Sequence, residues 1–472
     1  MPTATKFVEC RGGYPSAWSL ECRVPDNRLT RKTVHPWTRY RSADTEVFRP
    51  RDAADLAAFI QSGDAGTAGR QLLAVGALRS FNDSCLIDGG VMLDMTALHR
   101  IERFDPVTGL ITCQAGTSLG ALLREAVPHG WVLPVVPSSQ FITVGGAIGH
   151  DVHGRNQHCE GSFGCHVTAL TLVRSGGTVE CSRETNRELF LATLGGLGLT
   201  GTIVAATLQL KQVPGAWVAC ETVAFTGLNS CLALLNDGEK SHEYLAVWLD
   251  LVNFRGDCDL LRGTLLRGKA LQADRPPPPR FGHTRQIPLP FTLPVSPVNR
   301  LTMGPFNRLY WNTLRRSASV ELDYFRFSYQ LDGIQAYPRL LGPQGMRHYQ
   351  MVLPTLRIDL LALCLEAIGR SRALSFLAGL KLFGTRQSGG LMSFPLPGIV
   401  LTMDFRYEGE RTRSLFAELD DIVTAAGGRV YLAKNDTLAR ELFHRQYPRC
   451  QEFAAHMDPA TSSALWSRLA PT

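Results

Sequence analysis

Between Ile142 and His158 the chain reads ITVGGAIGHDVHGRNQH, with four glycines and three histidines in one short stretch. Histidine can ligate a metal, move a proton or satisfy a turn, and each role asks for a different spacing. His150, His153 and His158 make neither an HxH nor an HExxH pattern, and no partner cluster stands out elsewhere in the sequence. A metal centre is therefore not expected. Gly145 and Gly146, having no Cβ, can bring backbone N–H groups close to a phosphate. The earlier loop VGALRSFNDS offers the same chemistry, with Gly76, Ala77 and the cation Arg79. Two small-residue loops, each following a strand candidate, point to one bound dinucleotide.

A third glycine run, GLGLTG from Gly196 to Gly201, satisfies the letters of a GxGxxG fingerprint. That fingerprint works only between a strand and a helix, where the helix N-terminus faces the pyrophosphate. Here a helical pattern precedes it and the β-branched run TIVAATLQL follows. The order is inverted, so a Rossmann site is rejected and a glycine-rich turn is kept.

These loops need a scaffold, and the chain is long enough for two domains at 472 residues. Its 44% hydrophobic and 19% charged residues are ordinary for a globular protein. The net charge of +7 suits an anionic ligand or anionic membrane surface, and no run of like charges suggests a nucleic-acid arm. Twelve cysteines without a CxxC pair read as reduced, partly buried thiols. No secretory leader and no spanning apolar run are evident, so the expected location is the bacterial cytoplasm or the periphery of the cell membrane.

Periodicity assigns RDAADLAAFIQSG to a helix and QLLAVGALRSF to a buried strand entering a turn. GGVMLDMTAL and GLITCQAGTS read as strands, and SLGALLREAVPHG as a helix capped by Ser118 with Gly130 beyond its end. HVTALTLVRSGGTVECS is a hairpin turning at Gly176 and Gly177, and the GLGLTG turn joins a helix to a strand. After about residue 213 the texture changes. EYLAVWLDLV and ELDYFRFSYQLDG are aromatic-rich strand candidates, and SLFAELDDIVTAAGG is an amphipathic helix. A proline-rich stretch, about 268–300, cannot be helix or central strand and is expected to be a mobile loop, either linker or lid.

Taken in order, VGALRSFND, VVPSSQFITVGGAIGHDVHGRNQH, GSFGCHV, ATLGGLGLTG, LKLFG, SFPLPG and GGRVYLAKN resemble the vanillyl-alcohol-oxidase-type flavoproteins. Within them they resemble the decaprenylphosphoryl-ribose-oxidase-like members. The resemblance implies an α+β fold, with a PCMH-type FAD-binding domain at 31–213 completed by a return at 429–472. An α+β substrate domain on an antiparallel sheet is inserted at 214–428, and residues 1–30 form an extension.

The resemblance also implies roles. Ala74, Val75, Gly76, Ala77, Leu78, Arg79, Ser80, Phe81, Asn82, Asp83 and Ser84 would hold the flavin pyrophosphate. Ser138, Thr143, Val144, Gly145, Gly146, His150, Asp151, Val152 and His153 would line its other side, with Ile203 and Tyr431 completing the pocket. Many relatives bond a first-loop histidine to the flavin. Arg79 stands in the corresponding stretch and is protonated throughout the usable pH range, so FAD is expected to be non-covalent.

Lys434 and His153 are the implied catalytic pair. Trp248, Tyr329, Gln350, Lys381, Phe383 and Thr402 are the implied substrate residues. His348 stands where the family carries glutamine, Phe81 where it carries tyrosine, and Val400 and Thr402 where some members carry asparagine and cysteine. The implied reaction is FAD-dependent oxidation of a secondary hydroxyl on a (polyprenyl-)phosphorylated pentose to a ketone. That is the oxidase half of a ribose-to-arabinose epimerisation, in which a short-chain NAD(P)H-dependent reductase is the partner. A soluble sugar or alditol oxidase, a tailoring oxidase, or a flavin-binding module without turnover remain the alternatives.

Overall fold

The computed structural model describes residues 28–61, 69–272, 276–278, 281–283, 286–316 and 319–470. The expected N-terminal extension therefore lies almost wholly outside the described residues. The first sheet is built from β1 (Leu29–Val34), β2 (Ala43–Phe48), β3 (Leu72–Val75) and β4 (Val91–Asp94), in the order β1-β2-β4-β3. Strand β4 runs parallel to both neighbours, and α1 (Ala53–Gln61) makes the crossover. Leu56, Phe59 and Ile60 of α1 are buried against Phe48, Leu72 and Val91, which is why the apolar spacing of RDAADLAAFIQSG folds as a helix. Because β1 begins at Leu29, the first sheet starts slightly earlier than the expected boundary at 31.

A second sheet stacks beyond it. β5 (Ile101–Asp105) and β6 (Leu110–Gln114) are followed by α2 (Leu119–Ala126), the short β7 (Trp131–Val132), α3 (Val144–Gly149) and α4 (Gln157–Glu160). β8 (Val167–Arg174), β9 (Gly177–Ser182), α5 (Arg187–Thr193), β10 (Thr202–Gln209) and β11 (Lys211–Gln212) follow, giving the sheet order β5-β6-β10-β8-β9. Ser118 caps α2 by accepting from the Ala121 N–H at 3.2 Å, and Thr143 caps α3 through the Gly146 N–H at 3.3 Å. The run at 196–201 is a turn between α5 and β10, as its inverted context requires.

The second half is one antiparallel sheet. β12 (Trp217–Thr226), α6 (Leu228–Ser241), β13 (Tyr244–Leu249) and β14 (Arg262–Leu271) lead to α7 (Arg300–Leu314). β15 (Val320–Asp323), α8 (Tyr324–Ser328), β16 (Met346–Pro354), α9 (Leu360–Ser371), β17 (Ser375–Phe383), β18 (Gly398–Arg406), α10 (Glu410–Ala425) and β19 (Arg429–Val430) complete it. Its order is β15-β12-β14-β13-β17-β18-β16-β19. One face buries Leu245, Val247, Leu265, Tyr349, Met351, Leu380 and Leu401 in a core shared with α6, α9 and α10. The alternate residues point the other way, toward the first two sheets.

Two expectations need correction. ELDYFRFSYQLDG is strand only to Asp323, whose carboxylate accepts from the N–H groups of Phe325 and Arg326 and starts α8. The proline-rich loop begins later than 268, because residues 268–271 still pair within β14. Helix α7 runs straight out of that loop and carries Pro305 inside it.

After β19 the chain crosses back. Ser462 N–H donates to Leu72 O, Ala464 N–H to Leu86 O, and Asp458 binds the backbone and hydroxyl of Ser175. Arg468 reaches Asp83 at 3.2 Å. α11 (Arg440–Gln446), α12 (Cys450–Ala454) and α13 (Ala464–Leu469) lie along this return.

Candidate active site

A cavity of about 440 Å³ lies between the sheets, lined by the loops after β3, around α3 and before β10, and by the free face of the large sheet. The strand register sets that face. Thr264 pairs with Trp248, Trp248 with Gly379, Gly379 with Thr402, and Thr402 with Gln350, so a row of side chains crosses five strands. His348 and Asp404 form the next row. Gly379 has no room for a side chain, since a Cβ would sit 2.4 Å from Val247 O.

The loop after β3 presents a polar backbone to this cavity. The N–H groups of Ala77, Leu78, Arg79 and Ser80 find no backbone acceptor among the described residues, and Leu78 adopts a positive φ of 53°. Successive N–H groups bent in this way form a concave anion cradle. Gly146 and Gly198 border the same space. A Cβ on Gly146 would meet only Thr143 Oγ1, at 3.2 Å, and on Gly198 nothing nearer than Ala74 O at 3.8 Å. The Gly145 and Gly146 N–H groups themselves are taken, by Ala115 O at 2.8 Å and Thr143 Oγ1 at 3.3 Å. A Cβ on Gly145 would press on Ala115, 3.1 Å from its Cβ, so that glycine serves the packing of α3, and the bare α-carbon of Gly146, rather than either amide, is what the ligand gains.

Arg79 packs between two rings, 4.0 Å from the Trp37 centroid and 4.7 Å from that of Phe141. Burial lowers its pKa to about 10, and its Nε has no partner among the described residues. A cationic, stacked guanidinium stands where an attached histidine would be needed. The cradle, the bare glycines and this unpaired donor fit a dinucleotide with an anionic pyrophosphate.

The histidines separate by role. His150 Nδ1 lies 3.2 Å from Gly146 O, its Nε2 is 3.2 Å from Ser84 Oγ, and its carbonyl accepts from the Tyr431 hydroxyl at 3.0 Å. Burial pushes its pKa down to about 4, so it is a neutral strut. His158 turns away to His242 O at 3.1 Å. His153 is buried beside the Phe383 ring, and its Nε2 is 2.6 Å from the Gln350 amide. Burial first, then Lys381 and Lys434, hold its pKa well below the usual histidine value, so it is neutral. Among the described residues no group of three or more histidine, cysteine or acidic side chains is placed to hold a metal ion.

Two buried lysines face the same space. Lys434 Nζ lies 3.2 Å from the Phe81 ring centroid, and burial lowers its pKa to about 7, opposed by the Asp404 charge and reinforced by Lys381. Lys381 is lowered to about 8 by burial and by the nearby Arg155 guanidinium. Asp404 accepts from Nδ1 of His348 and from the Tyr337 hydroxyl at 3.2 Å, while His348 Nε2 is 3.1 Å from Thr402 Oγ1.

Of the sequence-predicted residues, Ala74 to Phe81, Ser84, Ser138, Thr143, Gly145, Gly146, His150, Val152, His153, Ile203, Trp248, Gln350, Lys381, Thr402, Tyr431 and Lys434 line this cavity. Six do not. Asn82 is a buried fastener, donating to Leu432 O and Asn435 O, and Asp83 pairs with Arg468 and Arg41. Val144 is core, and Asp151 gathers the hydroxyls of Ser162, Ser388 and Ser393 with the Gly164 N–H. Tyr329 sits edge-on to Phe325 in an apolar cluster, because α8 turns its aromatic side chains inward. Phe383 packs behind His153 against Phe394.

The sequence reading missed Trp37, Phe141, Arg155, Tyr310, Asp332, Tyr337 and Asp404 as lining residues. Alternation offered a signal for one of them: Asp404 follows Thr402 by two residues along β18.

Residues 45–182 match the model of an FAD binding domain family. The chain is similar to decaprenylphosphoryl-beta-D-ribose oxidase of Mycolicibacterium smegmatis, 34% identical over 394 residues that cover 82% of this chain and 85% of that one. It is 32% identical over 376 residues to an uncharacterized protein in the mprA 5' region of Streptomyces coelicolor, covering 75% of this chain and 98% of that one. A shorter match to mouse L-gulonolactone oxidase is 34% identical over 142 residues, covering 30% of this chain and 32% of that one.

Proposed function

The chain belongs to the FAD-dependent oxidoreductase family of decaprenylphosphoryl-ribose oxidase, and from that premise we propose that it oxidises a secondary hydroxyl of a phosphorylated, polyprenyl-linked pentose to a ketone. The cofactor is FAD, and with Arg79 stacked in the first loop it is held without a covalent bond. Ala77 to Ser80 would hold its pyrophosphate, with Gly146 and Gly198 giving it room. When bound, FAD supplies the hydride acceptor that an alcohol oxidation requires.

The single observation that carries the reading is the pair of buried lysines on the cavity wall, close to the Trp248–Thr402–Gln350 row. Lys434, with a pKa of about 7, is substantially neutral at physiological pH and takes the hydroxyl proton. Lys381 keeps most of its charge at that pH and, with Arg155, attracts the phosphate. His153, neutral and bonded to Gln350, orients the hydroxyl-bearing carbon from the side of Tyr431. Trp248 gives the sugar an apolar platform. In this reading the enzyme is the oxidase half of a ribose-to-arabinose epimerisation, and a separate short-chain reductase returns hydride to the other face of the ketone.

The test is an anaerobic mixture of the FAD-loaded protein with lipid-phosphoryl ribose. Flavin bleaching at stoichiometric substrate is the expected result. Full FAD occupancy without bleaching overturns the assignment, and turnover of free sugar or alditol with hydrogen peroxide release would replace it with a soluble oxidase.

A further inference from the structure

Exposed large apolar side chains on this protein are concentrated in one stretch of chain. Ile287, Phe291, Val295, Leu301, Phe306 and Leu309 are all more than half exposed, with Leu301 at 88% and Val295 at 79%. Helix α7 carries three of them on its outer face. Its inner face is fixed to the large sheet, where the Asn307 amide donates to Asp250 at 2.9 Å and the Trp311 indole donates to Gly263 O at 3.3 Å. An apolar face on the solvent side of a helix so anchored does not serve the protein's own core.

The charge of the same region has one sign. From Arg275 to Val320 the sequence contains seven arginines and no aspartate, glutamate or lysine. Three of them, Arg308, Arg315 and Arg316, are exposed on or just beyond α7. Apolar side chains bordered by arginines are the composition of a helix lying in the interface of an anionic bilayer, where the apolar face enters the acyl boundary and the cations meet the headgroups.

The position matters as much as the composition. Tyr310 and Leu314 of α7 line the cavity, as do Gln286, Gln330 and Ile334, and the exposed Ile287 is bridged to Ile334. Tyr310 at 40% and Ile334 at 38% exposure are both cavity wall and surface, which puts an opening of the cavity at this apolar, basic face.

We infer that residues 286–316, centred on the outer face of α7, dock on an anionic lipid surface and set the cavity opening against it. A substrate anchored by a lipid tail then enters laterally without leaving the bilayer. The inference rests on the proposed lipid-linked substrate for its purpose, but the docking itself is read from the surface alone.

The test is flotation of the FAD-loaded full chain with vesicles of phosphatidylcholine containing a minority of phosphatidylglycerol, compared with phosphatidylcholine alone. The expected result is salt-sensitive flotation with the anionic vesicles only. Leu301→Asp with Leu309→Asp weakens it by about tenfold or more, and Arg308→Gln with Arg315→Gln and Arg316→Gln removes its salt sensitivity. Neither set touches the cavity wall, so FAD content and flavin reduction by a water-soluble phosphopentose that serves as substrate should match the parent chain. Failure of the parent to float, or equal flotation of the leucine variant, overturns the docking surface. Binding that appears only when a partner protein is added overturns it in favour of a protein interface. A parent that floats while no phosphopentose or lipid-phosphoryl pentose bleaches the flavin would instead sink the substrate assignment and leave the surface standing.

Discussion

Asp404 receives a hydrogen bond from Nδ1 of His348, from a neighbouring strand, and its charge also acts on Lys434. The carboxylate therefore does two things. It fixes the imidazole so that Nε2 meets Thr402, and it raises the pKa of a lysine that burial pushes down.

Removing that charge should lower the pKa of Lys434, and of His348 with it. In Asp404→Asn the acid limb of kcat/KM is expected to shift to lower pH, because the ammonium loses its stabilising neighbour. FAD occupancy, read from the visible absorbance, should persist. An unshifted limb would mean that Lys434 is not the titrating base.

For the parent enzyme, the neutral amine of Lys434 accumulates as pH rises through about 7. Turnover should rise over that interval and level off above it. Lys434→Met should lower kcat by roughly 10²–10⁴-fold, the usual contribution of a positioned base, with FAD retained. A pH–rate profile flat between pH 6 and 8, as rough bounds on either side of that pKa, would remove the lysine from the proton step.

His153 touches Gln350, and its ring packs against Phe383 and lies near Tyr431. His153→Ala is expected to impair turnover more than FAD retention. Parallel loss of both, measured by kcat and by flavin content after gel filtration, would reduce its role to packing.

Acid precipitation or boiling should release yellow flavin into the supernatant, since Arg79 occupies the first loop as a stacked cation. Flavin that stays with the precipitated protein would identify a covalent link elsewhere.

Local patterns carried much of this fold. The helix at 53–61, the cap at Ser118, the hairpin at Gly176–Gly177 and the rejection of GLGLTG all follow from short-range chemistry, and the structure agrees with each. Long-range register was not legible. His348 and Asp404 lie 56 residues apart and meet only because β16 and β18 align them. Tyr329 matched a motif, yet α8 turns it into an apolar cluster, and nothing local announces that Asp323 ends the strand and opens a helix. Phe383 was misread for a related reason: it ends the strand that carries Lys381, but packs behind His153 instead of lining the cavity.

The first loop is held from the far end of the chain. Phe81 N–H donates to Ala433 O, the Asn82 amide spans Leu432 O and Asn435 O, and Arg468 clasps Asp83. During synthesis the loop therefore leaves the ribosome with its retaining groups still unmade. The cofactor berth closes only after translation has run through Arg468, so yellow colour in a preparation reports synthesis past that residue, and a chain terminated before Leu432 should be colourless however well its early sheets have formed.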